Sequence, residues 1–263
     1  MSGMKFSYYP GCTLKNKAKD LDIYARKCGE TLGFELVEID DFQCCGGVFT
    51  TSSDEIATKL AAVRALKAAK AAGLPLVTVC SACHNVIKQT NHAMRTDSEF
   101  ADRVNRYMND GDGYHGETNV YHYLEVLRDI IGFDRVKQCV KYPLDMKVGA
   151  YYGCLLLRPG AIMETDDPED PRIMEDLIRA LGGTPAEFGM RNECCGGYTV
   201  IEDPALAKKR SGDVYRSAEN AGAEALVTAC PLCRYNLIKN GANMPVMYFT
   251  QLLARAFGEY DEK

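Results

Sequence analysis

Ten cysteines fall into two sets of five with nearly the same internal spacing: Cys12, Cys44, Cys45, Cys80 and Cys83, then Cys154, Cys194, Cys195, Cys230 and Cys233. The last four members of each set are offset by a constant 150 residues (194 − 44, 233 − 83), and only the first differs, at 154 − 12 = 142. Thiolates in such numbers are soft metal ligands or redox centres, and a Cys-x-x-Cys pair is half of a common metal site. Each set also holds two adjacent cysteines with two glycines behind them, in QCCGGVFT (Gln43 to Thr50) and ECCGGYTV (Glu193 to Val200). Zinc takes four ligands, whereas each set offers five. Two neighbouring residues reach one small ion awkwardly but can bind different metals of a multinuclear cluster. Iron–sulfur clusters are thus the favoured reading, with zinc in one half as the alternative.

Other readings of the same residues fit less well. CSACH, at Cys80 to His84, matches the attachment signature of c-type haem, but its partner CPLCR ends in Arg234 and no export signal is visible. A thioredoxin-like Cys-x-x-Cys would leave the adjacent pair without a role. Gly46, Gly47, Gly196 and Gly197 allow a sharp turn and a close approach of backbone amides to an inorganic core, or simply a turn. Cys28, inside a predicted helix, and Cys139 stand outside the register and read as small buried hydrophobes.

The flanks repeat as well. YYPGC at Tyr8 to Cys12 answers YYGC at Tyr151 to Cys154, and LVTVC at Leu76 to Cys80 answers LVTAC at Leu226 to Cys230. The chain is therefore an internal duplication. The first half with its connector spans residues 1–118 and the second 119–263, with a pseudo-two-fold between them. The acidic segment ETDDPEDP, Glu164 to Pro171, accounts for the extra residues of the second half.

The elements that must hold these thiols are strands and helices in alternation. Strands are expected at Lys5 to Tyr9, Phe34 to Ile39 and Leu76 to Val79, with a helix from Ala18 to Leu32 ended by Gly33. A second helix, capped by Ser53 and stopped by Gly73 and Pro75, reaches Ala72, and another follows Cys83. The second half copies this with Met146 to Tyr152, Ile173 to Leu181, Pro204 to Ala221 and Ala225 to Ala229. Polar, glycine-rich Thr96 to Thr118 reads as connector, followed by a helix from Tyr121 to Ile131. Pro245 to Phe249 reads as a strand and Gln251 to Phe257 as a closing helix. The fold class is α/β with largely parallel sheets, and the cysteines sit at the carboxyl ends of strands.

Composition is that of a soluble globular protein: 263 residues, 46% hydrophobic, 25% charged, net charge −5. The acidic balance gives no basic face for nucleic acid. The alanine-rich run Ile56 to Ala72 is broken by Lys59, Arg64, Lys67 and Lys70, so no membrane span is expected. With no apolar signal segment the chain reads as cytoplasmic, where thiols stay reduced and cysteines serve metal or redox chemistry.

The pattern C, 31 residues, CC, 34 residues, CxxC, repeated with gaps of 39 and 34, resembles the cysteine-rich (CCG) domain. Its second gap is one residue shorter than the usual pattern. Two copies in a chain of this size are similar to the B subunit of heterodisulfide reductase. The resemblance implies two noncubane [4Fe–4S] clusters, one on Cys12, Cys44, Cys45, Cys80 and Cys83, the other on Cys154, Cys194, Cys195, Cys230 and Cys233. It further implies a small disulfide bound between the clusters, in the archetype the mixed disulfide of coenzymes M and B of methane-forming archaea. Electrons would come from a small ferredoxin-like partner subunit, itself fed by a larger flavin-containing, electron-bifurcating one. The alternative is a non-disulfide electron-transfer subunit of a related complex; a zinc-stabilised interaction scaffold is a third reading. Lys15 and Arg158, three and four residues after the first cysteine of each set, are candidate anchors for an anionic substrate. His84 and Arg234 follow the Cys-x-x-Cys pairs and could tune potential or donate protons. His92, His115 and His122 fit no ligand spacing and read as surface or partly buried.

Overall fold

A computed structural model describes residues 3–40, 42–47, 56–109, 111, 113–241 and 243–260. The first half runs β1 (Met4–Tyr9), α1 (Cys12–Asn16), α2 (Lys19–Leu32), β2 (Phe34–Glu38), α3 (Ala57–Ala72), β3 (Leu76–Thr78), α4 (Ser81–Thr96), α5 (Ser98–Met108) and β4 (Val120–His122). Helix α6 (Tyr123–Glu125) continues in wider π-helical turns over Val126–Ile131, and α7 (Phe133–Gln138) leads to the second half. There follow β5 (Lys147–Tyr151), α8 (Gly160–Met163), α9 (Ile173–Ala180), β6 (Thr184–Ala186), α10 (Pro204–Asn220), β7 (Ala225–Thr228), α11 (Pro231–Lys239), β8 (Val246–Tyr248) and α12 (Phe249–Phe257). The expected cap Ser53 lies outside the described residues.

Each half is a four-stranded parallel sheet, in the orders β2-β1-β3-β4 and β6-β5-β7-β8. The two orders correspond strand for strand, as a duplication requires. Tyr8 pairs with Glu38 on one side and Val77 on the other; Gly149 pairs with Ala186 and Leu226. Helix α2 forms because Leu21, Tyr24, Ala25, Cys28 and Leu32 fall on one buried stripe, and Gly33, at φ 95°, ends it in the left-handed conformation.

Four sequence expectations need correction. β4 is the outer strand of the first sheet, paired to β3, so the first half extends past the expected boundary at residue 118. A strand of three residues running straight into a helix shows too little alternation to be separated from it. The expected connector contains a helix, α5. Asp97 caps it by accepting from Phe100 N at 3.0 Å, and it buries Ala101 and Val104 on one face. Edge strand β6 was not anticipated because it contains Pro185, which an edge tolerates. Cys28 is fully buried as expected, but Cys139 is only half-buried.

Two apolar cores each draw on both halves. One packs α2, α6, α9 and α12 together; the other packs α3, α4, α10 and α11 and includes the innermost cysteines. The halves are joined by polar contacts too. Thr250 Oγ1, on α12, donates to the Leu21 carbonyl on α2 at 3.1 Å, and Ser81 N donates to the Ala229 carbonyl at 3.0 Å. The counterpart of Ser81 is Pro231, which has no N–H to return to Val79. The buried Tyr248 hydroxyl takes that place: it donates to the Val79 carbonyl and lies 3.0 Å from the Ala229 carbonyl.

Tyr248→Phe removes a buried hydroxyl from the join, leaving the Val79 carbonyl to His122 and the Ala229 carbonyl to Ser81. The expected cost is about 1 kcal/mol. Urea unfolding should show it as a lower midpoint at unchanged slope.

Candidate metal centres

Each cysteine quintet is assembled from three places. In the first half, β1 ends at Tyr9 and the chain turns at Gly11, φ 83°, to present Cys12 at the start of α1. The segment after β2 carries Cys44 and Cys45. β3 delivers Cys80 as the residue capping α4, with Cys83 in that helix's first turn. The second half repeats this: Cys154 follows β5, Cys194 and Cys195 precede α10, Cys230 caps α11 and Cys233 lies in its first turn. Helix N-termini favour thiolate over thiol.

The adjacent cysteines face different partners. Cys44 Sγ is 3.7 Å from Cys12 Sγ, and Cys45 Sγ is 3.5 Å from Cys83 Sγ. In the second half Cys195 Sγ is 3.6 Å from Cys233 Sγ, and Cys194 sits in hydrogen-bonding contact with Cys154. Two thiolates on one tetrahedral metal, with bonds of about 2.3 Å, lie about 3.8 Å apart, so these pairs have the separation that a shared metal sets. Among the described residues no three His, Cys, Asp or Glu side chains close on a single ion position. The donor set is a cup of paired sulfurs, suited in softness and number to a polynuclear group.

Crowding governs the protonation of these sulfurs. Hydrogen bonds from Cys44 and Cys83 push Cys45 down to about 3, while Cys44 and Cys83 are pushed up by their bonds to it and by burial. In the second half the charge falls on Cys194, lowered by Cys154 and Cys195, and Cys195 rises to about 12. In both halves the sulfurs are coupled, so that a thiolate on one holds protons on its neighbours. Cys230 is lowered by Cys233 and by the amides of Cys233, Leu232 and Ala82, the last from the other half.

Several positions hold the cups in shape. The Tyr9 hydroxyl donates to the Gln43 carbonyl and the Tyr151 hydroxyl to the Glu193 carbonyl at 2.7 Å, in each case the residue before the adjacent cysteines. Sequence reasoning gave these tyrosines no role, although each stands three residues before the first cysteine of its set. Gly46 and Gly196 take positive φ of 76° and 82°, and Gly196 N donates to Cys194 Sγ at 3.4 Å. A Cβ on Gly11 would lie 3.0 Å from Cys83 Sγ, and one on Gly153 3.2 Å from Cys233 Sγ.

A cavity of about 530 Å³ opens on the first cup, walled by Leu14, Lys17, Leu21 and, from the second half, Leu232, Arg234, Tyr235 and Ile238. The second cup holds only about 10 Å³ of free space. Arg234 Nε is buried on the cavity wall with no hydrogen-bond partner among the described residues. The expected anchors lie elsewhere. Lys15 pairs with Glu38, and Arg158 donates to the Asn192 carbonyl at 2.9 Å and to Glu169 at 2.9 Å; neither lines the cavity. Lys17, two residues on and one helical face away, lines it instead. His84 is buried with Nε2 3.3 Å from Glu125 Oε2, and burial pushes its pKa well down. His122, expected at the surface or partly buried, is fully buried at the capping position of α6, and burial pushes its pKa down to about 3. His92 is half-buried and His115 exposed.

Comparison with known proteins gives concordant results. The family model described as Cysteine-rich domain matches residues 6–88 and 148–238. The 8-methylmenaquinol:fumarate reductase membrane anchor subunit of Wolinella succinogenes is 30% identical over 266 residues, covering 97% of this chain and 92% of that protein. A protein of Archaeoglobus profundus, named as similar to the B subunit of heterodisulfide reductase, is 28% identical, covering 99% and 93%. The B subunit of a ferredoxin/F(420)H(2)-dependent CoB-CoM heterodisulfide reductase of Methanosarcina acetivorans is 27% identical, covering 97% and 89%. A hypothetical protein of Helicobacter pylori shares the fold, with a TM-score of 0.75 at 14% identity over 98% of this chain and 49% of its own.

Gly11→Ala should cost the first half its metal, because both the left-handed φ and the contact with Cys83 oppose a methyl group. Gly73, also left-handed at φ 65° but facing open space, is the control. Gly73→Ala should keep full metal content and lose about 1 kcal/mol of stability. Metal analysis beside thermal unfolding separates the two.

Proposed function

Because this chain belongs to the cysteine-rich domain family, in two copies, we propose that it is the iron–sulfur subunit of a heterodisulfide reductase-type oxidoreductase complex. In this reading each quintet holds a noncubane [4Fe–4S] cluster, and the complex reduces a small disulfide to two thiols. The observation that carries the reading is the geometry of the first cup, five sulfurs at the floor of a cavity of about 530 Å³. Heterodisulfide reductase names among the relatives support the same assignment.

The reaction balances as one disulfide plus two electrons plus two protons giving two thiols, with a one-electron protein donor as reductant. The clusters, when bound, supply the electrons singly. The chain's own residues do the rest. Tyr9 and Tyr151 fix the loops that carry the adjacent cysteines. Gly11 and Gly153 let the backbone pass close to the sulfurs. Leu14, Leu21 and Ile238 keep the cavity apolar, which excludes water from the S–S bond, and Arg234 and Lys17 are placed to hold an anionic substituent. The electron donor would be a ferredoxin-like partner subunit, itself supplied by a flavin-containing one.

A second reading has a specific observation behind it. The cavity is mostly apolar and its mouth carries exposed Tyr235 and Ile238; the relative at 30% identity is named for methylmenaquinol:fumarate reductase. A quinol meeting the first cup would make the chain a non-disulfide electron-transfer subunit. No helix among the described residues is long and apolar enough to cross a membrane.

Anaerobically purified protein should hold about eight iron and eight acid-labile sulfide per chain. A signal of the oxidised protein in electron paramagnetic resonance should change on adding thiol. About four iron with zinc would reduce the second half to a structural role. A signal indifferent to thiols but altered by a short-chain menaquinone would move the assignment to the quinol reading.

A further inference from the structure

Each cup is built from three pieces of chain, and its sulfurs already stand in pairs that would join them. In the first half Cys12, after β1, meets Cys44 at 3.7 Å between sulfurs, and Cys45 meets Cys83 on α4 at 3.5 Å. In the second, Cys154 touches Cys194, and Cys195 lies 3.6 Å from Cys233 on α11. Three pieces need two links to become one, and the middle piece must offer a sulfur to each side. An adjacent pair of cysteines does that, and the fifth sulfur, Cys80 or Cys230, is left over. All of these cysteines are free thiols in the structure. A disulfide holds its sulfurs about 2.05 Å apart, so each pair must close by about 1.5 Å, a distance that side-chain rotation spans.

Competing pairings are poorer. The peptide between the adjacent cysteines is trans in both halves. It sets their Cα atoms about 3.8 Å apart, below the roughly 4.4–6.8 Å that disulfides span. Cys83 also touches Cys80, and Cys233 touches Cys230. A bond there would join no two pieces of the cup. It would also bridge a separation of 83 − 80 = 3 residues, against 38 for Cys45 and Cys83. The longer link removes more freedom from the unfolded chain and so favours the ordered cup more.

We propose that the metal-free chain has a second, covalent state in which two disulfides close each cup. They are Cys12–Cys44 and Cys45–Cys83 in the first half, Cys154–Cys194 and Cys195–Cys233 in the second. Cys80 and Cys230 stay as thiols, as do Cys28 and Cys139. The oxidant is a peroxide. For each link, two thiols and one hydrogen peroxide give one disulfide and two waters, through a sulfenic acid on one sulfur that the other thiol displaces. A disulfide sulfur is no longer a thiolate ligand, so each half keeps a single donor and cannot hold zinc, which takes four. The covalent state thus preserves the shape of the cup and bars the wrong metal. Loading a cluster then requires a dithiol reductant, which supplies two electrons to each link. This rests on the quintets being metal sites, and not on the cluster type or the substrate.

The test is peptide mapping of the full-length chain, stripped of metal by a chelator under reduction, then given one equivalent of hydrogen peroxide per link and alkylated. Trypsin should release from each half one species of three peptides joined by two links. Alkylation should be confined to the remaining 12 − 8 = 4 thiols, Cys28, Cys80, Cys139 and Cys230. Cys80→Ser and Cys230→Ser should keep every link. Zinc uptake should fall about tenfold or more on oxidation and return with dithiothreitol. A Cys80–Cys83 or Cys230–Cys233 link in the folded chain overturns the proposal, as does alkylation of every cysteine after peroxide. The same links from a chain oxidised in guanidinium chloride would also overturn it, since the folded cup would not then be choosing the partners. None of these results alters the iron and sulfide content of the anaerobic protein, which tests the proposed function separately.

Discussion

Five sulfurs held within one small cup repel each other as soon as more than one or two carry charge, and the fold is organised around that constraint. One thiolate in each adjacent pair is stabilised chiefly by protons retained on its neighbours, Cys45 by Cys44 and Cys83, Cys194 by Cys154 and Cys195, with backbone amides helping. A cationic inorganic core relieves this, since coordination removes the protons and spreads the charge over metal. Until then the polypeptide alone must keep the sulfurs together. It does so with rigid pieces: strand ends, helix first turns, and tyrosine hydroxyls that clamp the carbonyl before each adjacent pair.

The parallel sheet is a natural platform for such a cup. Every β1-type and β3-type strand delivers its cysteine at the same end, and the helix that follows points its amides back at the sulfur. Two such platforms then meet at their Cys-x-x-Cys corners, where Ser81 donates to Ala229 and the Ala82 amide supports Cys230. The join is therefore made of the same residues that frame the cups. Any change in how the halves dock alters both sites.

Duplication supplied two cups, and later divergence gave them different surroundings. A proline at position 231 removed one amide from the join, and Tyr248 replaced it with a hydroxyl. The second half carries α8 and the acidic segment Glu164 to Pro171 between its first and second cysteine positions. The first half carries α5, and a cavity opens on its cup. The cysteines of the two halves stand in register, while the residues around them do not.

The sequence by itself determined the two cysteine quintets, the duplication and the order of most strands and helices, because residue spacing and hydrophobic period are local properties of the chain. It located Cys28 in the core for the same reason, as one of the apolar positions on α2. It missed β4 and β6, whose three residues carry too little pattern, and α5, whose polar face hid a short buried stripe. It did not locate the cations of the cavity wall. Counting from Cys12 pointed to Lys15, but one more half-turn of chain puts Lys17 on the cavity wall and Lys15 against Glu38. Arg158 was equally plausible by spacing and is engaged by Asn192 and Glu169. The cavity on the first cup was decided only by tertiary structure, since its wall combines Leu14, Lys17 and Leu21 of one half with Leu232, Arg234 and Ile238 of the other, and spacing along one stretch of sequence carries no trace of such contacts.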